Sequence, residues 1–397
     1  MHLLFVTSLV PDGQPSTGYE IANAAIIDGL RRVGAKVTVL GFTWPDGRPL
    51  EPESTVVLGQ VDVRTDSASG VQKLRWLGHA VATGLTFSSV KLRAVTREAV
   101  REAIRSVGPF DAYVLNAVPL AGAFEDVFTD RPQIFVAHNV EHRSAAENAA
   151  AAKSLVERLM FQREARLLEA LERRLCARAA FVFTLANEDI SALGLGGSGR
   201  ALALPLVTRA HAPEPSVLPI AHDLALIGTW TWQPNRIGLE WFLSEVRPRL
   251  DPSISVAVAG GTPADLASAW PDVRFLGRVP DAVDFVKSAA VIPLVSRAGT
   301  GVQLKTLETF ELGMPSVATP RSIRGIADIP ANCTVADDPA QFALAVDAAV
   351  VRARSGDRML LDGRAFHAAQ AHRLDAALAE GLQALASRLE NKARSAA

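Results

Sequence analysis

The sequence predicts an α/β protein made of two doubly wound domains, and three observations lead to this fold class. Short apolar runs alternate with stretches of helical periodicity over most of the 397 residues, an alternation typical of parallel sheets. A chain of this length exceeds what one hydrophobic core normally supports. A proline-rich stretch without periodicity, residues 208–222, separates two sets of alternations and predicts an interdomain linker.

Composition and charge exclude several classes of protein. Hydrophobic residues make up 49% of the chain and charged residues 21%, which is a globular composition. The formal net charge of −1 gives no overall field that favours nucleic acid. Cys176 and Cys333 show no metal or redox spacing, so a reduced cytoplasmic compartment fits best. The first residues, MHLLFVTSLVP, predict a strand and not a signal peptide, and no apolar run reaches the ~20 residues of a membrane span.

The first domain opens with a strand, a glycine-bearing loop, a helix and a second strand, which is typical of a doubly wound sheet. The apolar run 3–7, the helical spacing over 20–33 and the run 36–41 give these elements. The loop is not G-x-G-x-x-G and no acid ends the second strand, so we expect no NAD site. Of the loop glycines, Gly13 is interpreted as an ordinary turn glycine. The later elements predicted here lie at residues 71–107, 111–116, 133–139, 150–179 and 181–189.

Polar residues follow the predicted strand 133–139 and form the first candidate site. They are His138, Asn139 and Glu141, with His142 and Arg143 next in the chain. Ligands of open α/β sheets lie beyond the carboxyl ends of the strands. A lone histidine is more often structural than catalytic, but its position at a strand end favours a functional role.

The second domain repeats the alternation of strands and helices. Strands are predicted at residues 224–228, 255–260, 273–277 and 290–295, and helices at 235–250, 263–269 and 281–288. Past residue 338 the sequence predicts helix to its last residues. We therefore expect a second parallel sheet after the linker.

The stretch SRAGTGVQLKTLETFELGMPSVAT, residues 296–319, carries the strongest functional signal. A loop with Gly299 and Gly301 opens a predicted helix, on which Lys305 and Glu308 share one face. Gly313 ends the helix, and a short strand follows. Backbone amides at a helix start suit a phosphate, a lysine adds positive charge, and a carboxylate accepts hydrogen bonds from sugar hydroxyls. Together these features predict a nucleotide-sugar site, whereas an isolated K-x-x-E would indicate only an ordinary amphipathic helix.

This segment resembles the donor-binding helix of retaining glycosyltransferases of the GT-B fold, the family-four type (glycosyl transferases group 1). Their pattern places a glutamate at the start of E-A-M-A-x-G-x-P-V-V, and LETFELGMPSVAT matches it, so Glu308 takes that role. Thr300 stands where an earlier glutamate usually lies. One branch of the family has G-x-G-x-R-x-K-x-x-E instead, and this chain resembles that branch with Gln303 at the arginine position.

The resemblance implies a role for each site residue. His138, Lys305 and Glu308 are the expected catalytic residues. The expected nucleotide-binding residues are Gly18, Thr229, Asn235, Arg278, Gly299, Thr300, Gly301 and Val302. On the acceptor side we expect Asn139, Glu141 and Arg143. Loop 277–281 borders the nucleobase in this family, where Arg278 either contacts phosphate or caps a helix.

The chain departs from the family pattern after its strand 224–228. The family usually has an arginine and a lysine there that bind the diphosphate, whereas this chain has Thr229 and Asn235. The charge then has to come from Lys305, Arg278, Arg297 and helix amides. Trp232 and Trp241, nearby, are equally compatible with packing and with ligand contact.

The resemblance also implies the architecture and the reaction. We expect two Rossmann-like domains facing across a cleft, residues 1–210 with a returning helix 374–395, and residues 211–373 as the donor domain. The reaction moves a sugar from a nucleotide-diphosphate sugar to a hydroxyl of a glycan or lipid-linked acceptor, with retention, in polysaccharide or glycoconjugate synthesis. No metal or other cofactor, no nucleic-acid partner and a cytoplasmic location are expected.

Three further interpretations stay open. A nucleotide-sugar epimerase shares the fold, and the missing cations are compatible with a non-catalytic nucleotide-sugar-binding subunit of a polysaccharide assembly complex. The basic segments 71–105 and 150–179, with Trp76 and Phe87, are interpreted either as solvated helix faces or as a peripheral contact with the inner membrane surface.

Overall fold

The computed structural model describes residues 1–13, 17–64 and 68–396 of the chain. The chain divides into two compact units. The first consists of Met1–Leu206 together with the segment from Ala371 onward, and the second is Val207–Gln370. Each unit contains one parallel sheet.

The first unit has a seven-stranded sheet in the order β3-β2-β1-β4-β5-β6-β7. All neighbouring strands run parallel. The strands are β1 His2–Leu9, β2 Lys36–Thr43, β3 Thr55–Gln60, β4 Ala112–Asn116, β5 Gln133–Ala137, β6 Phe181–Thr184 and β7 Ala201–Ala203. Strands β1, β4 and β5 are buried almost throughout, because helices cover both faces of such a sheet.

The helices of the first unit connect these strands in the right order for a doubly wound fold. They are α1 Gly18–Arg32, α2 Gly70–Thr83, α3 Phe87–Lys91, α4 Arg97–Ser106, α5 Val118–Ala123, α6 Glu141–Ala151, α7 Leu155–Arg178 and α8 Asn187–Ala192. Helix α1 begins with a capping box between Thr17 and Glu20, which stabilises its first turn.

The second unit has a six-stranded parallel sheet in the order β10-β9-β8-β11-β12-β13. Its strands are β8 His222–Ile227, β9 Val256–Ala259, β10 Arg274–Gly277, β11 Ala289–Leu294, β12 Ser316–Ala318 and β13 Cys333–Val335. Its helices are α9 Gln233–Trp241, α10 Ala264–Ala269, α11 Ala282–Lys287, α12 Leu304–Glu311 and α13 Pro339–Arg354. Two parallel α/β sheets agree with the predicted fold class.

The last helix, α14 Gly363–Ala396, carries residues of both units, and its later part packs on the first sheet layer. Leu378 packs closely on Gly29 of α1. A Cβ added to Gly29 would lie only 2.5 Å from Leu378 Cδ1. Gly381 packs in the same way on Phe183 of β6, since a Cβ added to Gly381 would lie 2.2 Å from the Cζ atom of that ring. The Arg32 guanidinium donates hydrogen bonds to both oxygens of the Asp375 carboxylate. The first unit therefore contains two segments far apart in the sequence.

Several predicted elements differ from those observed. The predicted helix 150–179 begins only at Leu155, because Ser154 and Glu157 form a capping box that starts a new helix after α6. The predicted helix 235–250 is α-helical only as far as Trp241. A π-helical segment and then a 3₁₀-helical turn follow it. Residues 355–362 are not helical, so helix is not continuous after 338. Gly18 is the first residue of α1, not part of the preceding loop, whose residues 14–16 lie outside the described chain.

Candidate functional site

Each sheet has one point where the strand order reverses, and several of the predicted site residues lie near these two points. In the first sheet the reversal lies between β1 and β4, and in the second between β8 and β11. Connections leave the two central strands in opposite directions there, which opens a crevice at their carboxyl ends.

The first crevice contains a cluster of buried polar side chains. Thr7 lies two residues before the end of β1, Asn116 ends β4 and His138 follows β5, while Tyr19 and Asn23 come from α1. The Tyr19 hydroxyl lies 2.8 Å from Thr7 Oγ1, and the Asn23 amide donates to the same oxygen at 2.9 Å. Of this cluster, the sequence predicts only His138 as a site residue.

Hydrogen bonds fix the orientation of His138 through two amides. Asn23 Nδ2 donates to the Leu9 carbonyl at 3.3 Å, so the Asn23 oxygen faces Asn116 and accepts from its Nδ2 at 2.6 Å. The Asn116 oxygen then faces His138 Nε2 at 2.8 Å. An amide oxygen only accepts, so His138 carries its proton on Nε2 and keeps Nδ1 as an acceptor.

The His138 ring is held neutral. Its side chain is buried and packs on the Tyr19 ring with centroids 5.0 Å apart. Burial lowers the pKa of His138 to about 4, because the imidazolium would lose its hydration. At neutral pH this residue can orient a sugar or accept a proton, but it supplies no positive charge.

A pair of carboxyl groups lies at the start of α6. Glu172 of α7 is buried and accepts the backbone N–H of Glu141 at 2.7 Å and the His142 Nδ1 proton at 2.6 Å. Glu172 thus satisfies amides at a helix start that no side chain of α6 caps. Burial, and then the charge of Glu172, raise the pKa of Glu141 to about 7. Asn139 donates to Glu141 at 3.3 Å.

The other predicted site residues of the first unit are exposed to solvent. Arg143 is exposed on α6, and Gly18 is exposed at the first position of α1. Gly18 remains beside the carboxyl end of β1, where a helix start and its dipole face the crevice end of the sheet.

The second crevice joins the ends of β8 and β11 through side chains. Asn235 Nδ2 donates to the Thr229 carbonyl at 3.1 Å, and Lys305 Nζ donates to Asn235 Oδ1 at 3.1 Å. Lys305 Nζ also lies 5.3 Å from the ring centre of Trp230, which is fully buried. Burial lowers the pKa of Lys305 to about 8. The structure therefore brings Lys305 together with Thr229 and Asn235, which the sequence places in a different segment.

The glycine loop before α12 has the backbone conformation that its composition predicts. Gly299 and Gly301 have φ of 93° and 74°, values that favour glycine. Gly299 packs on Pro234 of α9, and the Arg321 guanidinium donates to the Gly299 carbonyl at 3.0 Å. Turns of this kind present backbone N–H groups to anions. The N-cap of α12, Gln303, makes no side-chain cap hydrogen bond.

Glu308 forms an ion pair that the sequence did not predict. Arg209 Nη2 donates to Glu308 Oε1 at 2.6 Å, and both side chains are about one-quarter exposed. Burial raises the pKa of Glu308, while Arg209 lowers it and the charge of Asp281 raises it further. Arg209 lies in the stretch predicted as a linker, whose first residues are instead bound to α12.

The remaining candidate cations and tryptophans differ in their surroundings. Arg278 is exposed after Gly277, and Gly277 accepts the Gly260 N–H at 2.7 Å, so this loop adjoins the end of β9. Arg297 was a candidate for phosphate binding, but it pairs with Asp337 and stacks on Trp241 at 4.7 Å. The Asp337 carboxylate therefore already neutralises the positive charge of Arg297. Trp232, at the start of α9, is half exposed.

Among the described residues, no three His, Cys, Asp or Glu side chains are grouped so that they could hold a metal ion. Among the helices of the same residues, none is both long and apolar enough to cross a bilayer.

Comparison with known proteins shows one sequence similarity, and it lies in the second unit. Residues 221–351, most of the second unit, match the family model described as Glycosyl transferases group 1. A search of the curated proteins found no match.

Solved structures resemble the whole chain. A sucrose-phosphate synthase from Thermosynechococcus elongatus has 15% identity, full coverage of both chains and a TM-score of 0.62. WaaG, a glycosyltransferase involved in lipopolysaccharide biosynthesis, has 17% identity over 95% of this chain and 98% of its own, with a TM-score of 0.59. Anabaena Alr3699/HepE in complex with UDP has 14% identity over 98% of this chain and 100% of its own, with a TM-score of 0.54.

These likenesses confirm the predicted fold. Identities this low show the fold alone, which is that of GT-B glycosyltransferases. The family model adds that residues 221–351 are similar in sequence to glycosyl transferases of group 1.

Proposed function

We propose that this protein is a glycosyltransferase that moves a sugar from a nucleotide-diphosphate sugar to a hydroxyl of a glycan or lipid-linked acceptor, with retention and without a metal. One observation carries the proposal. The glycine loop, Lys305 and Glu308 follow one another around the start of α12, and Lys305 is bound to Asn235 across the switch point of the second sheet. The family match and the glycosyltransferases of similar fold support the same reaction.

In this mechanism the second unit binds the donor. The leaving diphosphate gains negative charge as the glycosidic bond breaks, so catalysis consists mostly of stabilising that charge and positioning the acceptor. Amides of residues 299–302 and the Lys305 ammonium bind the diphosphate. Glu308 accepts hydrogen bonds from the ribose hydroxyls. Thr229, Asn235 and Arg278 complete the nucleotide side.

The first unit binds the reacting sugar and the acceptor. His138 presents Nδ1 as an acceptor for a sugar hydroxyl, because Asn116 fixes the proton on Nε2. Asn139, Glu141 and Arg143, at the start of the next helix, contribute to the acceptor side. We propose participation in polysaccharide or glycoconjugate synthesis, since WaaG acts in lipopolysaccharide biosynthesis.

The decisive experiment measures nucleotide binding. A thermal-shift screen with UDP-, GDP-, ADP- and dTDP-sugars should give a rise in melting temperature with at least one of them, because a ligand of the native state stabilises it. Glu308→Ala should weaken that nucleotide roughly tenfold or more, the scale of one lost charge-assisted hydrogen bond. Glu188→Ala, an exposed glutamate of α8, is the control. Equal affinity of Glu308→Ala and wild type would reject this donor site.

Two other functions predict different products. A nucleotide-sugar epimerase would convert the donor without any acceptor, and a non-catalytic binding subunit would bind it without turnover. Chromatography of donor and product, with and without a panel of glycan and lipid-linked acceptors, separates the three. Release of nucleoside diphosphate that depends on the acceptor supports the transferase.

An exposed apolar and basic surface on the first unit supports a membrane-bound acceptor. The α2–α7 surface consists of the exposed apolar residues Val71, Leu74, Val81, Leu155, Val156 and Leu159. Arg163 of α7 donates to the Ala80 carbonyl at 2.7 Å and joins the two helices. Exposed basic residues near this surface are Lys73, Arg75, Lys153 and Arg158, against the exposed acid Glu157, and further along α7 Arg166 and Glu169 are also exposed. Apolar contact with basic flanks suits the headgroup region of an anionic bilayer.

Vesicle cosedimentation tests this contact. Wild type should sediment more with vesicles containing about one-third anionic lipid than with neutral vesicles. The Leu74→Asp/Leu159→Asp variant should lose the difference, whereas Leu344→Asp, at an exposed leucine of α13, should keep it. Equal sedimentation of wild type with both kinds of vesicle would reject the membrane contact and leave a solvated surface.

A further inference from the structure

Residues Thr208 and Arg209 are held at three atoms, two of them bound to α12 and one to α14. Thr208 N donates to Glu311 Oε1 at 2.8 Å, and the Thr208 hydroxyl donates to Glu311 Oε2. The His367 Nε2 atom of α14 lies 2.9 Å from the Arg209 carbonyl. The backbone that carries the Arg209 side chain is therefore fixed, although it belongs to neither a helix nor a strand.

Glu311 is unusual for its position. It stands where the family pattern E-A-M-A-x-G-x-P has its second alanine. Its side chain is completely buried, and burial raises its pKa although Thr208 and Arg209 act in the opposite direction. Burying an acid costs free energy unless it is hydrogen-bonded. In this chain the acid secures a segment that the short alanine side chain would leave untied.

The fixed segment directs Arg209 at the proposed ribose acid. The Arg209–Glu308 contact of 2.6 Å is short and charge-assisted. Arg209 Nε lies 3.6 Å from Glu311 Oε2, so the guanidinium contacts both acids of α12.

Among the groups around Glu308, Arg209 favours the ionised form of the carboxylate. Asp281 at the start of α11 and Glu311 on α12 are acids, Lys305 on α12 is a cation, and His367 on α14 faces the Arg209 backbone. Burial and Asp281 both favour protonation of Glu308, and Arg209 opposes them. An ionised carboxylate accepts hydrogen bonds with both oxygens, whereas a protonated one gives up part of this capacity.

We propose that Arg209 is a positioning residue of the nucleotide site, which keeps Glu308 ionised and in one orientation for two neighbouring ribose hydroxyls, and that Glu311 positions Arg209. This inference rests on the proposed function. It assigns the stretch after Val207 a role in donor recognition in addition to connecting the units.

The test is the pH dependence of nucleoside diphosphate binding. UDP, GDP, ADP and dTDP are titrated by calorimetry into wild type, and the tightest ribonucleotide is then measured from pH 5 to 8.5 with Arg209→Gln, Arg209→Lys and Glu311→Gln. In wild type the affinity should fall at acid pH. In Arg209→Gln the midpoint of that fall should move to higher pH, with a loss of about fivefold at pH 6 and less than about twofold at pH 8.5. Glu311→Gln should shift the midpoint in the same direction by less.

Matched controls separate the possible failures. Arg209→Lys, which keeps the charge, should keep a midpoint closer to wild type. Arg352→Gln, at an exposed arginine paired with Asp357, should match wild type. The 2′-deoxy analogue of the chosen nucleotide should show a smaller pH dependence, since it offers one hydroxyl fewer. No binding of any nucleotide to wild type would overturn the proposed function itself. Binding with the same midpoint in wild type and Arg209→Gln, or a loss equal at all pH values, would overturn only the role of Arg209.

Discussion

At the scale of single residues, amide orientation decides what His138 can do. The order Asn23, Asn116, His138 leaves one tautomer, because the Leu9 carbonyl at the start of the series can only accept a proton. The position of His138 was predictable, since it follows a buried strand. Its partners were not, since Asn23 lies more than 90 residues before Asn116 and no local pattern connects them.

Replacing His138 should affect turnover more than donor binding. His138→Ala removes the acceptor nitrogen that we assign to the reacting sugar, so we expect kcat to fall by at least about tenfold, with nucleoside diphosphate affinity within a factor of two. Steady-state kinetics and calorimetry measure the two quantities. Retained turnover would make His138 a structural residue.

The raised pKa of Glu141 predicts a pH-dependent stability. The folded protein holds a proton on Glu141 up to about pH 7, whereas the unfolded chain releases it near its ordinary value of 4.5. Stability linked to this group is therefore present at low pH and lost as pH rises toward 7. Glu141→Gln does not titrate and should be more stable than wild type at pH 8, by up to about 3 kcal/mol, with little difference at pH 4. Urea unfolding at the two pH values checks this, and an equal difference at both would contradict it.

At the scale of elements, α12 was the most predictable part of the site. Its glycines, its face with Lys305 and Glu308, and its end at Gly313 all follow from local rules for turns and caps. The break between α6 and α7 was less evident, since the alanine-rich sequence before Lys153 favours helix as strongly as the sequence after it. Strands β3 and β13 were missed because they are partly exposed and lack a continuous apolar run.

The end of α12 tolerates no side chain at Gly313. This residue has φ of 67°, and an added Cβ would lie 1.9 Å from the Leu361 carbonyl oxygen. Gly313→Ala should destabilise the second unit by more than the ~1–2 kcal/mol of a left-handed backbone alone. Gly356→Ala is the control, because Gly356 has φ of 97° with no atom near its Cβ position. Similar unfolding free energies for the two variants would show that the loop around Leu361 gives way.

At the scale of the whole molecule, the two alternations of strand and helix were enough to predict two α/β units. Parallel sheets require this alternation, so it appears in the sequence wherever they occur. Contacts between distant segments carry no such periodic signal. Two such contacts are the ion pair of Arg209 with Glu308 and the hydrogen bond of Glu172 to the start of α6. Only the structure reveals them.

The two units should respond separately to one core substitution. Leu378 is completely buried against α1 in the first unit, whereas the nucleotide residues belong to the second. Leu378→Ala should cost about 2–5 kcal/mol of stability in the first unit, while nucleoside diphosphate affinity measured below the transition stays within about twofold. Circular dichroism in urea and calorimetry report the two quantities. Loss of affinity in a folded variant would mean that the units are energetically coupled.

The packing of α14 has a consequence for biosynthesis. Residues 1–206 leave the ribosome first, but Leu374, Leu378 and Leu385, which complete their apolar layer, are translated only after residues 207–370. At ordinary elongation rates this delay lasts on the order of ten to thirty seconds. During that time the residues of α1 and β6 that contact α14, such as Gly29 and Phe183, are uncovered, so we expect chaperones that bind exposed apolar surface to recognise the nascent first unit.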